Sequence, residues 1–331
     1  MKALVYTGPQ CLEYRDAAEP VTGVGDEVIR VESVGICGSD MHGFLGHDER
    51  RPAPLILGHE AAGTIVSGPR KGERVTVNPL VTCGACEHCQ AGRDNLCVSR
   101  QIISMPPREG AFAQFLAMPA GNLVTIPDGI SSEKACLSEP VACGWHGVRL
   151  AEKAMTISLS EARCLVIGGG AIGLGAALVL AAKGAREIWL AETNPARRDI
   201  VAAAGPFRVF DPLGDNGPDP GGFDLVVDGV GFEATRATAS SLVKSGGVIV
   251  HIGLGSAAGG LDIRRMTLQE ITFIGTYTYT PEDFRETAKA IFEGRLGALD
   301  WPQTRPLSEG GAAFADIHAS RAAAPKIILK P

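Results

Sequence analysis

The feature that most constrains the fold is a glycine-rich turn between an apolar segment and a long Ala/Leu-rich segment. Residues 164–167 read Cys-Leu-Val-Ile, residues 168–173 read Gly-Gly-Gly-Ala-Ile-Gly, and an apolar helix-like stretch continues to position 183. The short apolar run indicates a buried strand, and GxGxxG between a strand and a helix is typical of a dinucleotide-binding turn. This segment predicts the first strand and helix of a doubly wound, parallel sheet.

The chain beyond the turn continues to alternate strand-like and helix-like segments. The predicted strands are 187–191, 208–210, 223–228, 247–252 and 271–278, and the predicted helices are 195–204, 234–244 and 282–293. Alternation of this kind favours a parallel sheet with helices on both faces. Tyr277 and Tyr279 alternate at the end of the last predicted strand, where aromatic packing is their expected role and pairing of the strand across a subunit interface is the alternative.

The first third of the chain is β-rich instead. Short β-branched or alternating runs at 28–34, 73–77, 112–118 and 123–126 are broken by Gly, Pro and Asn. A final strand is predicted at 326–329, and a Gly/Pro-rich connection at 214–222. The predicted fold is α/β with two domains. A β-rich catalytic domain comprises residues 1–138 and 281–331, and a dinucleotide-binding domain comprises residues 139–280.

Composition limits the class of partner. A chain of 331 residues with 45% hydrophobic residues can bury two cores. Its net charge of −6 lacks the positive field that nucleic acid or an anionic membrane surface requires, so a small-molecule substrate is favoured. Residues 2–7 read as a strand without an export signal, and no apolar run approaches the length of a bilayer span. We expect a cytoplasmic protein.

Four of the nine cysteines lie within fifteen residues. Cys83, Cys86, Cys89 and Cys97 have the spacing CxxCxxCx7C, which lets four thiolates converge on one tetrahedral ion. Because sulfur takes all four positions, no ligand position is left for water. We predict a structural zinc site in a lobe of about residues 80–100.

A second, sparser set consists of Cys37, His59, Glu60 and Glu139, in the contexts GICGSDMH, GHE and SEP. One thiolate, one imidazole and one carboxylate can hold zinc and leave a position open for a substrate oxygen. Each fragment alone has an ordinary explanation, since a lone cysteine is usually a buried small hydrophobe. Their order along the chain favours a catalytic zinc.

Glu192 ends the second predicted strand, 24 positions after Gly168. A carboxylate there binds the ribose 2′-hydroxyl of NAD and repels the 2′-phosphate of NADP. Arg197 lies close enough in sequence to accommodate a phosphate, so NADP stays open. The predicted cofactor-binding residues are Gly168, Gly170, Ala171, Ile172, Gly173, Glu192 and Arg197.

The order of these motifs resembles that of the medium-chain zinc alcohol dehydrogenases, over essentially the whole chain. The resemblance implies a GroES-like catalytic domain joined to a Rossmann domain, two zinc ions per subunit and NAD. Glu139 followed by Pro140 resembles the polyol, sorbitol and threonine dehydrogenase branch. In that branch Cys37, His59 and Glu60 would surround the catalytic zinc, and Glu139 would ligate it or bind its water.

The same resemblance implies a proton relay of Ser39 and His42. Two positions differ from polyol members: Gly43 stands where they carry an aromatic residue, and Thr278 stands where they carry an arginine. The substrate therefore stays open. His146, on the helical face of Glu139, is a reserve ligand.

The predicted function is NAD-linked oxidation of a secondary alcohol or polyol-like substrate to a ketone, by a homodimer or homotetramer. One alternative is an NADPH-dependent carbonyl reductase that uses the same zinc site. Another is a nucleotide-binding relative without catalytic activity, although such a chain would be expected to lose Cys37, His59 or Ser39.

Overall fold

The computed structural model describes residues 1–215 and 217–331; Asn216, inside the connection predicted at 214–222, lies outside the described residues. The strands of the first part are β1 (Lys2–Gly8), β2 (Cys11–Asp16), β3 (Asp26–Gly35), β4 (Leu55–Ile56), β5 (Glu60–Ile65), β6 (Arg74–Val77), β7 (Leu80–Val81), β8 (Gln101–Ile102), β9 (Phe115–Pro119) and β10 (Leu123–Thr125). The helices there are α1 (Gly38–Phe44), α2 (Glu87–Gln90) and α3 (Ser132–Ala135).

The second part alternates helices with strands. Its helices are α4 (Ser138–Ala154), α5 (Ala171–Ala182), α6 (Pro195–Ala204), α7 (Glu233–Leu242), α8 (Ile263–Leu268), α9 (Pro281–Phe292) and α10 (Gly310–His318). Its strands are β11 (Arg163–Ile167), β12 (Glu187–Ala191), β13 (Arg208–Phe210), β14 (Phe223–Asp228), β15 (Val243–His251), β16 (Thr272–Gly275), β17 (Gln303–Pro306) and β18 (Ile327–Lys330).

Strands β11 to β16 form one sheet in the order β13-β12-β11-β14-β15-β16, with every neighbouring pair parallel. The strand order reverses between β11 and β14, and ligands of doubly wound sheets bind at the carboxyl ends of the strands on either side of such a point. The predicted doubly wound parallel sheet is confirmed. It places the glycine-rich turn, which follows β11, at the reversal.

Both faces of this sheet are covered. One core contains Val166, Leu190 and Val227 together with Val141 of α4 and Leu178 of α5. On the opposite face, Leu165 and Val226 pack with residues of α7 and α8. Burial on both faces explains why these strands read as continuous apolar runs.

Among the details that differ from the sequence prediction, two concern α8 and β16. Helix α8 was not expected; it begins because the side chain of Asp262 accepts a hydrogen bond from the backbone N–H of Arg265. Strand β16 ends at Gly275, although alternation predicted a strand to position 278. Thr278 has φ +46°, which is incompatible with a strand, so Tyr277 and Tyr279 lie in a loop.

The β-rich part is organised around β3, which pairs antiparallel with β5, β9 and β18. Strand β18 therefore brings the end of the chain beside the end of β3, and it also pairs parallel with β17. The core here includes Phe112 and Phe314, whose rings meet edge to face at 5.9 Å. Within the ranges 1–215 and 217–331, no helix has both the length and the apolar character needed to cross a membrane.

Candidate active site

The pairing of β3 with β5 brings three of the four predicted catalytic zinc ligands together: Cys37, His59 and Glu60. Gly35 lies opposite Glu60 in this ladder, so Cys37, two residues past the end of β3, lies near His59 and Glu60 at the start of β5. One ligand atom from each of Cys37, His59 and Glu60 lies within 4.8 Å of the others. His59 and Glu60 are buried, and Cys37 is half-buried. A thiolate, an imidazole and a carboxylate at this spacing match the donors of a three-ligand zinc site.

A residue that the sequence prediction missed orients this set. Asp40 is fully buried at the start of α1, where its Oδ2 accepts from the backbone N–H of Cys37 at 2.9 Å and its Oδ1 accepts from that of Gly58 at 3.1 Å. The same Oδ1 lies 3.4 Å from Nδ1 of His59. Burial opposes ionisation, but His59 and these hydrogen bonds hold the pKa of Asp40 below its ordinary value. A carboxylate behind a ligating histidine fixes the ring orientation, and its position three residues after Cys37 was the available signal.

Glu60 has one satisfied and one unsatisfied carboxylate oxygen. Oε1 accepts from Nζ of Lys326 at 2.6 Å, and the same Nζ donates to the carbonyl of Ile36 at 2.7 Å. Oε2 is buried without a hydrogen-bond partner among the described residues. A Cβ on Gly35 would lie 1.9 Å from Oε2, so only glycine leaves room for this oxygen. A buried, unpaired carboxylate oxygen beside a thiolate and an imidazole fits a bound cation.

Glu139, in the first turn of α4, does not belong to the three-donor set of the described residues. Its Oε1 accepts from the hydroxyl of Tyr279 at 2.7 Å, and both side chains are buried. Burial raises the pKa of Glu139 to about 7, and neighbouring Glu60 adds to the rise, although His59 and the Tyr279 hydrogen bond oppose it. Tyr279 is a second site residue that the sequence prediction missed, because it was assigned to a strand.

The remaining predicted residues near this site are less tightly placed. Ser39 and His42 are half-buried on α1, three positions apart and so on one helical face, and no hydrogen bond joins their side chains in the described ranges. Gly43 is buried against Arg51, whose Cδ would lie 2.8 Å from a Cβ at this position. His146 faces Asp283, with Nδ1 2.7 Å from Oδ2, and lies outside the zinc set.

The four lobe cysteines converge. Their sulfur atoms all lie within 4.8 Å of one another. Three separations are 3.5 Å for Cys97 to Cys83, 3.6 Å for Cys86 to Cys89 and 3.9 Å for Cys83 to Cys89. Zinc–sulfur bonds of about 2.3 Å give a tetrahedron with edges of about 3.8 Å. The sulfurs therefore fit one tetrahedral ion with no position left for water.

The glycine-rich turn leaves one side open. Gly168 has φ +98°, and a Cβ on Gly173 would lie 1.9 Å from the carbonyl oxygen of Gly168, so the turn itself requires glycine at both positions. Gly170 has no atom within 4 Å of its Cβ direction. It precedes Ala171 and Ile172 at the start of α5, whose first backbone N–H groups have no side-chain cap. An uncapped helix N-terminus beside open space can hold a pyrophosphate.

Glu192 is directed at this turn. Its Oε2 accepts from the backbone N–H of Gly169 at 2.9 Å, and its Oε1 accepts from that of Asn194 at 2.7 Å. The guanidinium of Arg197 donates to the carbonyls of Ala322 at 2.7 Å and Ala323 at 3.1 Å, and its Nη1 lies 3.8 Å from Oε2 of Glu192. The carboxylate of Glu192 therefore reaches the turn with the cation of Arg197 beside it.

Known proteins share this architecture. Residues 23–128 match the family model of the alcohol dehydrogenase GroES-like domain, and residues 171–293 match that of zinc-binding dehydrogenases. L-galactonate-5-dehydrogenase of Escherichia coli is 32% identical over 317 residues, which cover 90% of this chain and 89% of that protein. L-threonine 3-dehydrogenase of Sinorhizobium fredii is 31% identical over 294 residues, which cover 84% of this chain and 83% of that protein.

A solved structure extends the likeness to three dimensions. A protein of Sinorhizobium meliloti 1021, described as a zinc-binding dehydrogenase and solved with NADP, superposes with a TM-score of 0.89. The two chains are 27% identical, and the match covers 100% of this chain and 99% of that one. Sequence identity across nine-tenths of the chain agrees with the shared fold. This chain therefore belongs to the zinc-dependent medium-chain alcohol dehydrogenases, a family of oxidoreductases, in the polyol and threonine dehydrogenase-like branch.

Proposed function

We propose that this enzyme oxidises a secondary alcohol of a polyol-like substrate to a ketone and passes the hydride to NAD, with Cys37, His59 and Glu60 as ligands of a catalytic zinc. The observation that carries the proposal is the three-donor set with its unpaired Glu60 oxygen. Relatives named for L-galactonate, D-xylulose and L-threonine support a hydroxyl-bearing metabolite as substrate. Glu139 contributes a further carboxylate beside the set, as a fourth ligand or as a partner of a bound water.

When bound, zinc would lower the pKa of the substrate hydroxyl. The residues of the chain supply the rest of the chemistry. Ser39 accepts the hydroxyl proton, and His42, one turn along α1, passes it towards solvent. Asp40 holds His59 in its orientation, and Lys326 holds the carboxylate of Glu60 by donating to its Oε1 at 2.6 Å. The burial of Glu60 and Glu139 excludes water from the side of the site that they line.

NAD is the proposed cofactor rather than NADP. The carboxylate of Glu192 reaches the glycine-rich turn, where it would accept from a ribose hydroxyl and repel a 2′-phosphate. Arg197, the cation that could favour a phosphate, donates to two backbone carbonyls and lies 3.8 Å from Oε2 of Glu192, which balances its charge. A similar dehydrogenase was solved with NADP, so the fold alone does not select NAD, and we assign the selection to the charge of Glu192.

We also propose the domain division 1–138 with 281–331 and 139–280, supported by the pairing of β18 with β3 and by the separate six-stranded sheet. The four lobe cysteines would hold a structural zinc. A homodimer or homotetramer is supported by β16, an edge strand beside exposed Leu268 and Phe273. A cytoplasmic location remains a prediction.

The direct test is a screen for NAD reduction over secondary alcohols, polyols, sugar acids, sugar phosphates and hydroxy-amino acids, with enzyme of known zinc content. We expect turnover with a secondary hydroxyl flanked by polar groups, and a lower kcat/KM for each substrate with NADP. Turnover that occurs only as NADPH-dependent carbonyl reduction would support the reductase alternative. A protein that binds NAD without turning over any of these classes would support a non-catalytic relative.

A further inference from the structure

The loop that follows β16 connects the four-cysteine lobe to the catalytic site. We call residues 277–280 the strap. At its first residue, the carbonyl of Tyr277 accepts from Nδ2 of Asn95 at 2.8 Å. Asn95 is buried, and it lies two positions before the lobe residue Cys97. The guanidinium of Arg100, also from the lobe, lies 4.8 Å from the ring centroid of Tyr277.

The other end of the strap is held by α4. Thr280 caps α9 and donates from its backbone N–H at 3.1 Å and from its hydroxyl at 2.7 Å to Oδ2 of Asp283. Asp283 also accepts from Arg149 at 2.8 Å and lies 2.7 Å from Nδ1 of His146, both on α4. Asp283 and His146 are buried. The strap is thus fixed to the lobe at one end and to the helix that carries Glu139 at the other.

Between these anchors the strap reaches the catalytic site. Tyr279 is 1% exposed, packs on the ring of Phe284 at 5.6 Å and donates its hydroxyl to Glu139 at 2.7 Å. Its neighbour Thr278 has φ +46°, a left-handed conformation that β-branched residues rarely adopt. Such a conformation persists only where the surroundings enforce it, and here the contacts of Tyr277 and Thr280 do so.

We propose that the four-cysteine lobe sets the position of Glu139 through this strap, with Asn95 and Tyr279 as positioning residues for the dehydrogenase reaction. The lobe then contributes to catalysis as well as to stability. The inference rests on the proposed function, since it assigns Glu139 a place beside the substrate. The proposed path runs from the side chain of Asn95 to the carbonyl of Tyr277, and along the backbone of Thr278 to Tyr279. It then runs from the hydroxyl of Tyr279 to the carboxylate of Glu139.

The first test is Tyr279→Phe, which removes the hydroxyl and keeps the ring. Loss of a hydrogen bond to a carboxylate predicts a kcat lower by about tenfold, with the KM for NAD within about twofold of wild type. A second readout is the visible spectrum of enzyme carrying cobalt(II) at the catalytic site, which should shift because Glu139 is no longer held. Tyr6→Phe, at another buried tyrosine, is the control and should change neither quantity. An unchanged kcat and spectrum in Tyr279→Phe would overturn the proposal.

The second test is Asn95→Ala, alone and combined with Tyr279→Phe. We expect kcat to fall by about threefold to tenfold while zinc analysis still gives two ions per chain. If Asn95 acts through Tyr279, the double variant loses less than the product of the two single losses. Strictly multiplicative losses would overturn the path. If Asn95→Ala loses the lobe zinc, Arg100→Leu replaces it in the comparison of single and double variants. Arg100→Leu removes the other contact between the lobe and Tyr277.

These outcomes are separable from failure of the proposed function. A wild-type enzyme without any NAD-linked turnover would refute the proposed function itself. An active wild type with an unaffected Tyr279→Phe variant would refute only the role of the strap.

Discussion

Nζ of Lys326 lies 2.6 Å from Oε1 of Glu60, although the two residues are 266 positions apart. Both side chains are almost fully buried, with exposed fractions of 4% and 1%. The same ammonium group donates to the carbonyl of Ile36, next to Cys37 of the three-donor set. The segment leading into β18 therefore supplies the positive charge that balances the carboxylate of Glu60. The pairing of β18 with β3 holds Lys326 in this position.

Replacing Lys326 by Met removes this cation with little change in volume. The carboxylate of Glu60 then stays buried without its partner, and breaking one side of a buried pair costs about 3–5 kcal/mol. We expect the free energy of unfolding to fall by about that amount and kcat to fall at least about tenfold. Urea unfolding and steady-state kinetics measure the two effects.

Lys330→Met is the matched control, at the last residue of the strand that Lys326 precedes. Lys330 pairs with Glu133, and both side chains are about one-third exposed, at 35% and 34%. A pair this exposed contributes about 1 kcal/mol or less, and kcat should not change. Equal losses in the two variants would contradict a specific role for Lys326.

The parts of the site that spacing alone predicted are those whose members lie close together in the chain, whereas the set of Cys37, His59, Glu60 and Glu139 depended on the order of motifs and the family resemblance. The lobe cysteines and the glycine-rich turn each span fewer than twenty residues, so spacing alone indicates their geometry. Lys326 and Tyr279 reach Glu60 and Glu139 across 266 and 140 positions, and no local pattern encodes those contacts. The alternation Tyr-Thr-Tyr predicts that the last strand extends to this segment. In the structure the strand ends at Gly275, and the positive φ of Thr278 is incompatible with a strand.

Cys37→Ala and Cys89→Ser should separate the two zinc sites. Cys37→Ala removes one of three donors from the catalytic set, so we expect one zinc per chain, loss of turnover and unchanged NADH binding. Cys89→Ser weakens a site whose four ligands are all protein groups, so it should mainly lower thermal stability. Metal analysis, NADH fluorescence titration and calorimetry measure these properties. Full activity in Cys37→Ala would refute the assigned zinc site.

Glu192→Ala tests the choice of nicotinamide cofactor. Loss of the carboxylate removes the predicted partner of the ribose and the hydrogen bond to Gly169, so the KM for NAD should rise by about tenfold. The KM for NADP should change less, because the substitution also removes the repulsion of the 2′-phosphate and leaves Arg197 without its anionic partner. Glu187→Ala, at the opposite end of β12, is the control and should leave both values unchanged. A variant with the wild-type preference would show that Glu192 does not select the cofactor.

The contact of Asp283 with α4 predicts a pH dependence of stability. Although burial raises the pKa of Asp283, hydrogen bonds from His146, Arg149 and Thr280 outweigh it and hold the pKa well below the ordinary value. The carboxyl of an unfolded aspartate has a pKa of about 3.9. The stabilisation by the ionised Asp283 is therefore complete above that pH and is lost as the pH falls towards the pKa of the folded protein. At pH 7, Asp283→Asn should lower the free energy of unfolding by about 3 kcal/mol, because Arg149 and His146 lose their anion.

Below pH 4 the difference between wild type and Asp283→Asn should shrink, since the carboxyl of Asp283 in the unfolded wild-type chain takes up a proton there, which stabilises the unfolded state, while the folded carboxylate stays ionised. Urea unfolding from pH 7 down to about pH 3 measures the difference directly. Asp316→Asn is the control: Asp316 also pairs with two arginines, Arg305 and Arg321, but at the surface, so its loss at pH 7 should be smaller. A difference that stays constant over this pH range would mean that the ionised form of Asp283 is not what joins α9 to α4.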